Sequence, residues 1–305
     1  MNIGIDLGGT NIVGGIVSAD GKIVLKKSVP TLPSRNTEDI IADIIGLCKD
    51  LSNQGPIKSI GIGCPGTVNP LTKTIVNAAN IGFFNIPIGK IIEKKLSIPV
   101  LVENDANCAA LGEAIWGAAK DNNYSVTITL GTGIGGGIII GGSIYSGAFF
   151  GAGEVGHHVI HINGELCACG QRGCFEAYAS ASALIRDTRD GAISNPRSTI
   201  NEIVNGNLNA ITAKTAFDAA LLKDQTAIAI TENYFDYLCV GLSNITNILQ
   251  PDTVVLGGGI SGQGENLLSA VKSRIKDKVL TGNTKTRFVI AQLGNDAGII
   301  GASML

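Results

Sequence analysis

The chain opens Met1-Asn-Ile-Gly-Ile-Asp-Leu-Gly-Gly-Thr-Asn-Ile-Val-Gly-Gly-Ile-Val-Ser18, and near its middle the pattern restarts as Tyr124-Ser-Val-Thr-Ile-Thr-Leu-Gly-Thr-Gly-Ile-Gly-Gly-Gly-Ile-Ile-Ile-Gly-Gly-Ser-Ile-Tyr145. In each stretch two apolar-alternating runs flank a glycine hinge, Gly8-Gly9 in the first and Gly131-Thr132-Gly133 in the second. Alternation at period two predicts paired strands. Ala19-Asp-Gly-Lys22 then turns the chain into a third run, Ile23 to Ser28, which completes a β-meander. A pattern that restarts marks internal duplication. The expected architecture is α/β with two similar lobes and a ligand site in the cleft between them.

Working outward, Asn36 to Asn53 has helical spacing through Ile40, Ile41, Ile44, Ile45 and Leu47. Ile57 to Ile62 reads as a short strand ending at Gly63-Cys-Pro-Gly66, and Val100 to Glu103 as a strand leading into an Ala-rich helix from Ala106 to Trp116. Thr231 to Leu249 predicts a long amphipathic helix, and Thr253 to Leu256 a buried strand ending in Gly257-Gly-Gly259. The short apolar helix Ala297 to Met304 is expected to pack back onto the first lobe. The predicted lobes are residues 1–118 plus 294–305, and 119–293.

With 45% hydrophobic and 16% charged residues in 305, the chain can bury a substantial core, which excludes disorder. A net charge of −2, read as free of any Lys/Arg cluster, leaves no electrostatic footprint for nucleic acid or a membrane surface. Met1 leads straight into a strand-like run without a signal-peptide pattern, and no apolar run reaches the roughly 18 residues that span a bilayer. The expectation is a cytoplasmic protein with a small-molecule partner. Seven cysteines in such a compartment point to metal or thiol roles rather than a disulfide framework.

Asp6-Leu-Gly-Gly-Thr10 places a carboxylate at a strand end, beside a turn bare enough for phosphate oxygens to reach backbone N–H groups. Mg²⁺ needs only one or two protein carboxylates besides phosphates and waters, so Asp6 is a candidate magnesium anchor. Leu130-Gly-Thr-Gly-Ile-Gly-Gly136 has a dinucleotide-like glycine pattern, but Ile138 to Ile140 continue it as a strand rather than a helix, which argues against a Rossmann crossover. No Gly-Lys-Ser/Thr occurs at P-loop spacing. Two phosphate-contacting hairpins remain, with Gly257-Gly-Gly259 as a surface for adenine and ribose.

His157, Cys167, Cys169 and Cys174 fall within eighteen residues, interrupted by Gly164, Gly170 and Gly173. Glycine turns can bring these four to one tetrahedral point, a Cys₃His zinc candidate. Four protein ligands leave no open position, so the expected role is structural, fixing the loop that carries Glu154, His157 and Glu176. His158 and His161 are rival ligands, and spacing favours His157.

These motifs, with Glu103-Asn-Asp-Ala-Asn107, Glu154-Val-Gly-His157 and Cys167-Ala-Cys-Gly-Gln-Arg-Gly-Cys-Phe-Glu176, resemble the ROK sugar-kinase family (repressors, open reading frames and kinases) nearly end to end. The resemblance implies a two-lobed actin-like, ribonuclease H-like duplicated fold and an ATP-dependent hexose kinase, glucose first. It makes Asp105 the general base and places Gly66, Asn104, Glu154, His157 and Glu176 at the sugar, His157 also ligating zinc. Asp6, Gly8, Gly9, Thr10, Asn11, Thr132, Gly133, Gly258 and Gly259 would then contact nucleotide. ATP, Mg²⁺ and a structural Zn²⁺ are the implied cofactors, and a homodimer the implied assembly. N-acetylmannosamine or another hexose is the alternative substrate, since Phe83-Phe84 stands where glucokinase-like members often carry Trp. A non-catalytic sugar-sensing regulator is the alternative class; regulatory members resemble a kinase with an added N-terminal DNA-binding helix pair, and this chain starts on its first phosphate strand.

Overall fold

In the computed structural model, which describes residues 1–305, the opening meander forms as β1 (Asn2–Leu7), β2 (Asn11–Val17) and β3 (Ile23–Pro30). Ile3, Ile5 and Leu7 are wholly buried on β1. Helix α1 (Thr37–Ser52) starts where the Asn36 side chain accepts from the Asp39 N–H, and buries the stripe Ile40, Ile41, Ile44, Leu47, Cys48 and Leu51. There follow β4 (Ile60–Cys64), β5 (Thr67–Asn69), β6 (Thr74–Ala78), β7 (Phe83–Ile86), α2 (Ile88–Leu96), β8 (Val100–Asn104) and α3 (Asp105–Trp116). The second half begins with β9 (Ser125–Leu130), β10 (Ile134–Ile140) and β11 (Ser143–Ile144), continues through α4 (Glu176–Ala179), α5 (Ala181–Ser194), α6 (Thr199–Ile203), α7 (Ala213–Leu221) and α8 (Gln225–Leu249), and ends in β12 (Thr253–Gly257), α9 (Glu265–Ile275), β13 (Arg287–Ile290) and α10 (Ala297–Ala302).

The duplication is visible in the sheets. One runs β3-β2-β1-β4-β8 and the other β11-β10-β9-β12-β13, each a three-stranded meander extended by two later strands. β1 pairs antiparallel with β2 and parallel with β4, which pairs parallel with β8. A third, three-stranded sheet, β5-β6-β7, was not anticipated, because strands of three to five residues rich in Asn and Thr lack a readable apolar period. The strand expected from Ile57 begins at Ile60, and the helix expected from Thr231 begins at Gln225, capped by Asp224 accepting from the Ala227 N–H.

Contacts divide the chain into a first unit of Met1–Thr127, Gly137–Gly153 and Ala291–Leu305, and a second of Ile128–Gly136 and Glu154–Ile290. Within the first, α10 lies against β1, β4 and α3 at backbone distance. A Cβ on Gly4 would sit 1.9 Å from the Ile299 carbonyl oxygen, one on Gly61 1.7 Å from that of Ala302, and one on Gly301 1.7 Å from that of Cys108. Glu113 of α3 is wholly buried and accepts from the backbone N–H groups of Ala118, Gln292 and Leu293, holding the returning chain to this unit. The core of the second unit includes Ile200, Val204 and Ile211 packed with Ala192, Ala219 and Ala227.

Candidate active site and zinc centre

In the first unit the β-ladder itself assembles the acids. Asp6 on β1 pairs with Gly63 on β4, and Gly63 pairs with Glu103 on β8, so both carboxylates stand at the same, carboxyl end of three parallel strands. That end is where open α/β sheets bind ligands. Burial pushes the Asp6 carboxyl above its ordinary value, offset in part by the charge of Lys26. A carboxylate kept in such a place suits a divalent cation, whose charge would reverse that shift. The turn beyond Asp6 is tied down: Thr31 Oγ1 donates to the Gly8 carbonyl at 2.6 Å, and the Gly8 N–H to Asn11 O at 3.0 Å. Gly8 has therefore spent its N–H inside the hairpin. Thr10 and Asn11 are exposed.

At the junction of β8 and α3, Asn104 caps the helix, its Oδ1 accepting from the N–H groups of Ala106 and Asn107. Its Nδ2 donates to Gly66 O at 3.0 Å, which joins two of the expected sugar residues and leaves one amide hydrogen outward. Gly66 has φ +76°, and a Cβ there would lie 2.1 Å from Asn77 O, so only glycine fits. Asp105 is the first helical residue, with Oδ1 accepting from the Ala106 N–H. Glu103, to which the sequence motif alone assigns no role, is buried and accepts from the Asn104 N–H at 2.7 Å, Asn107 Nδ2 at 3.1 Å and Ser146 Oγ at 3.3 Å. Phe83 is wholly buried, while Phe84 is 58% exposed on β7.

The second unit holds the other candidates. Glu176 Oε2 accepts from the Ile134 N–H at 2.8 Å, and a Cβ on Gly133 would lie 2.1 Å from that same oxygen. Gly133 is thus required by the carboxylate lying over the turn. Gly258, at φ +80°, packs on Leu130, where a Cβ would meet backbone atoms at 2.6 Å; Gly259 faces open space and Thr132 is exposed. Gly258 thus meets the strand end that leads into the 131–133 turn backbone to backbone, leaving no room there for a side chain.

The ligand atoms of His157, Cys167, Cys169 and Cys174 lie within 4.8 Å of one another. Cys169 Sγ is 3.7 Å from Cys174 Sγ, and His157 Nδ1 is 3.7 Å from Cys167 Sγ. Sulfurs at about 2.3 Å from a tetrahedral zinc would be about 3.8 Å apart, so the donor set fits the ion. His157 turns its other nitrogen, Nε2, to Glu154, 4.0 Å away. One ring can thus serve the cluster and a second ligand at once. Burial pushes the Cys167 thiol up to about 12, whereas the Gln171 backbone N–H holds that of exposed Cys169 below its ordinary value. The rival histidines lie outside this convergent set: His158 Nδ1 meets Val155 O at 2.5 Å, and His161 Nδ1 meets the Tyr178 hydroxyl at 3.0 Å. Glu176 Oε1 accepts from Cys167 Sγ at 3.5 Å, linking the cluster to the glycine turn.

The ROK family model matches residues 2–305. The chain belongs to the ROK family. As a ROK protein it is 36% identical to the glucokinase of Thermotoga maritima, over 99% of this chain and 96% of that protein. It is 37% identical to the glucokinase of Halalkalibacterium halodurans, over 99% and 94%. Among solved structures it superposes on the ROK glucokinase of Streptomyces griseus, determined with glucose and AMPPNP, with a TM-score of 0.84, 34% identity and coverage of 99% and 98%. The duplicated α/β sheets of this ROK chain are those of the two-lobed actin-like fold. No helix is long and apolar enough to cross a membrane.

Proposed function

We propose that the chain is an ATP-dependent hexose kinase that converts glucose to glucose 6-phosphate. The observation that carries this reading is the ladder that sets Asp6 and the Asn104-Asp105 helix start at one end of the parallel strands. The glucokinase relatives support glucose as the sugar. In this reading Asp105 accepts the proton of the attacking hydroxyl, while Asn104, Glu154, His157 and Glu176 orient the sugar, with Gly66 lining it. Carboxylates and a carboxamide suit a hexose because each can satisfy two hydroxyls. The turns at Gly8 to Asn11 and at Thr132-Gly133, with Gly258 and Gly259, hold the nucleotide. Asp6 would hold Mg²⁺, which when bound neutralises charge on the phosphates. His157, Cys167, Cys169 and Cys174 would hold a structural zinc. Free thiols and a need for ATP fit a cytoplasmic location.

The test is ADP release from MgATP with glucose, mannose, fructose, N-acetylglucosamine and N-acetylmannosamine. Turnover fastest with glucose is expected; turnover fastest with N-acetylmannosamine or another sugar would replace the substrate but keep the chemistry. Asp105→Asn should lower kcat by about 10²–10⁴-fold and leave the glucose Kd nearly unchanged. Glucose binding without turnover in the unmodified protein would favour the sugar-sensing regulator instead.

A further inference from the structure

Glu103 has no Lys or Arg partner: the ion pairs of the molecule do not include it, and it is only 5% exposed. Burying an unpaired carboxylate is unfavourable, and is tolerated where hydrogen bonds take up its lone pairs. Here three donors do so, two of them from the β8-to-α3 junction that carries the proposed base. The Asn104 N–H is on the helix cap itself. Asn107 Nδ2 comes from the first turn of α3, and Ser146 Oγ from the segment following β11. Asn107 makes no protein hydrogen bond through its Oδ1, so within the chain its carboxamide is tied through Nδ2 to Glu103.

We propose that Glu103 is a positioning residue for phosphoryl transfer: its carboxylate locks the β8-to-α3 junction against Asn107 and Ser146, and so holds Asn104 and Asp105 in the geometry that meets the sugar hydroxyl. The proposal rests on the kinase reading. It assigns to Glu103 no contact with substrate. A carboxylate oxygen can accept two bonds at once, which is what Oε1 does with Asn104 N and Asn107 Nδ2, leaving Oε2 for Ser146. Glutamine can reproduce all of this: its Oε1 keeps both acceptor bonds, and its Nε2 donates to Ser146 Oγ with the hydroxyl reversing its role. Alanine removes all three.

The measurement is steady-state kinetics of the full chain with glucose and MgATP, for wild type, Glu103→Ala, Glu103→Gln and Asn107→Leu, each assayed well below its own unfolding temperature. Glu103→Ala should lose about 100-fold in kcat/KM for glucose, the scale of a misplaced reacting group, with KM for ATP unchanged within about 2-fold. Glu103→Gln should stay within about 5-fold of wild type, since charge-assisted bonds weaken but the geometry survives. Asn107→Leu, which keeps Glu103, should lose about 10-fold and covers the case in which the alanine variant does not fold. Three outcomes would overturn the proposal while leaving the kinase reading intact: an alanine variant as active as wild type, a glutamine variant as impaired as alanine, or a rise in KM for ATP matching that for glucose. A wild-type chain without sugar-dependent ADP release would overturn both together.

Discussion

Gly133 illustrates how a single residue is held by its neighbours rather than by its own chain geometry. Its φ is not in the left-handed region, so a turn alone would admit alanine. The obstacle is Glu176 Oε2, 2.1 Å from where a Cβ would stand, with the same oxygen already accepting from the Ile134 N–H. Gly133→Ala should push the carboxylate off that N–H. A lost bond to a charged group is worth about 1.5–3 kcal/mol, so kcat/KM for glucose should fall about 10–100-fold, read from initial rates. Gly259, with nothing within 4 Å, should tolerate the same change in folding.

Asp224 shows what a cap does for an element. It accepts from the Ala227 N–H at the start of α8 and from the Thr199 N–H at the start of α6, both at 2.8 Å. Desolvation raises its carboxyl, but the hydrogen bonds from Ala227 and Thr199 outweigh it and hold the group below its ordinary 3.8. The depressed value means that the stabilisation is complete above about pH 4 and is lost as pH falls through the folded-state value. Asp224→Ala should cost about 1–2 kcal/mol at neutral pH by urea unfolding, and the gap to wild type should narrow below pH 4. The basic residues correct one expectation at this scale. Lys272, Arg274, Lys276, Lys278, Lys285 and Arg287 face only Asp277 within residues 272–287, so the cations are clustered after all. Lys272 and Arg274 sit in the last turn of α9, where the helix dipole favours them, and Arg274 pairs with Glu232 and Asp236.

For the molecule as a whole the sharpest test is the metal. The four ligand atoms converge within 4.8 Å from a loop that carries little regular structure between the single 3-10 turn Val155–His157 and α4. A loop of this kind that holds zinc would depend on it, because metal binding and folding are then one equilibrium. Native mass spectrometry should find one zinc per chain and, at assay concentration, a dimer. Cys169→Ser or a strong chelator should remove the zinc, lower the melting temperature and abolish glucose phosphorylation, since Glu176 and His157 both lean on the cluster. Active, metal-free protein would remove zinc from the account.

The amino-acid sequence by itself determined the duplicated meanders, because a strand's period and a glycine hinge are local properties that survive in the order of residues. It also marked Cys167, Cys169 and Cys174 with a nearby histidine as a candidate set, whereas which histidine joins the sulfurs was decided by the structure, which brings His157 to them. Only the tertiary structure decided that Glu103, Asn107 and Ser146 form one network, that Glu176 lies over the Gly133 turn, and that Gly4, Gly61 and Gly301 are glycine because backbone approaches them. The physical reason is sequence distance: these contacts join residues up to roughly 300 positions apart, and no local pattern records what a side chain will meet once distant segments close upon it.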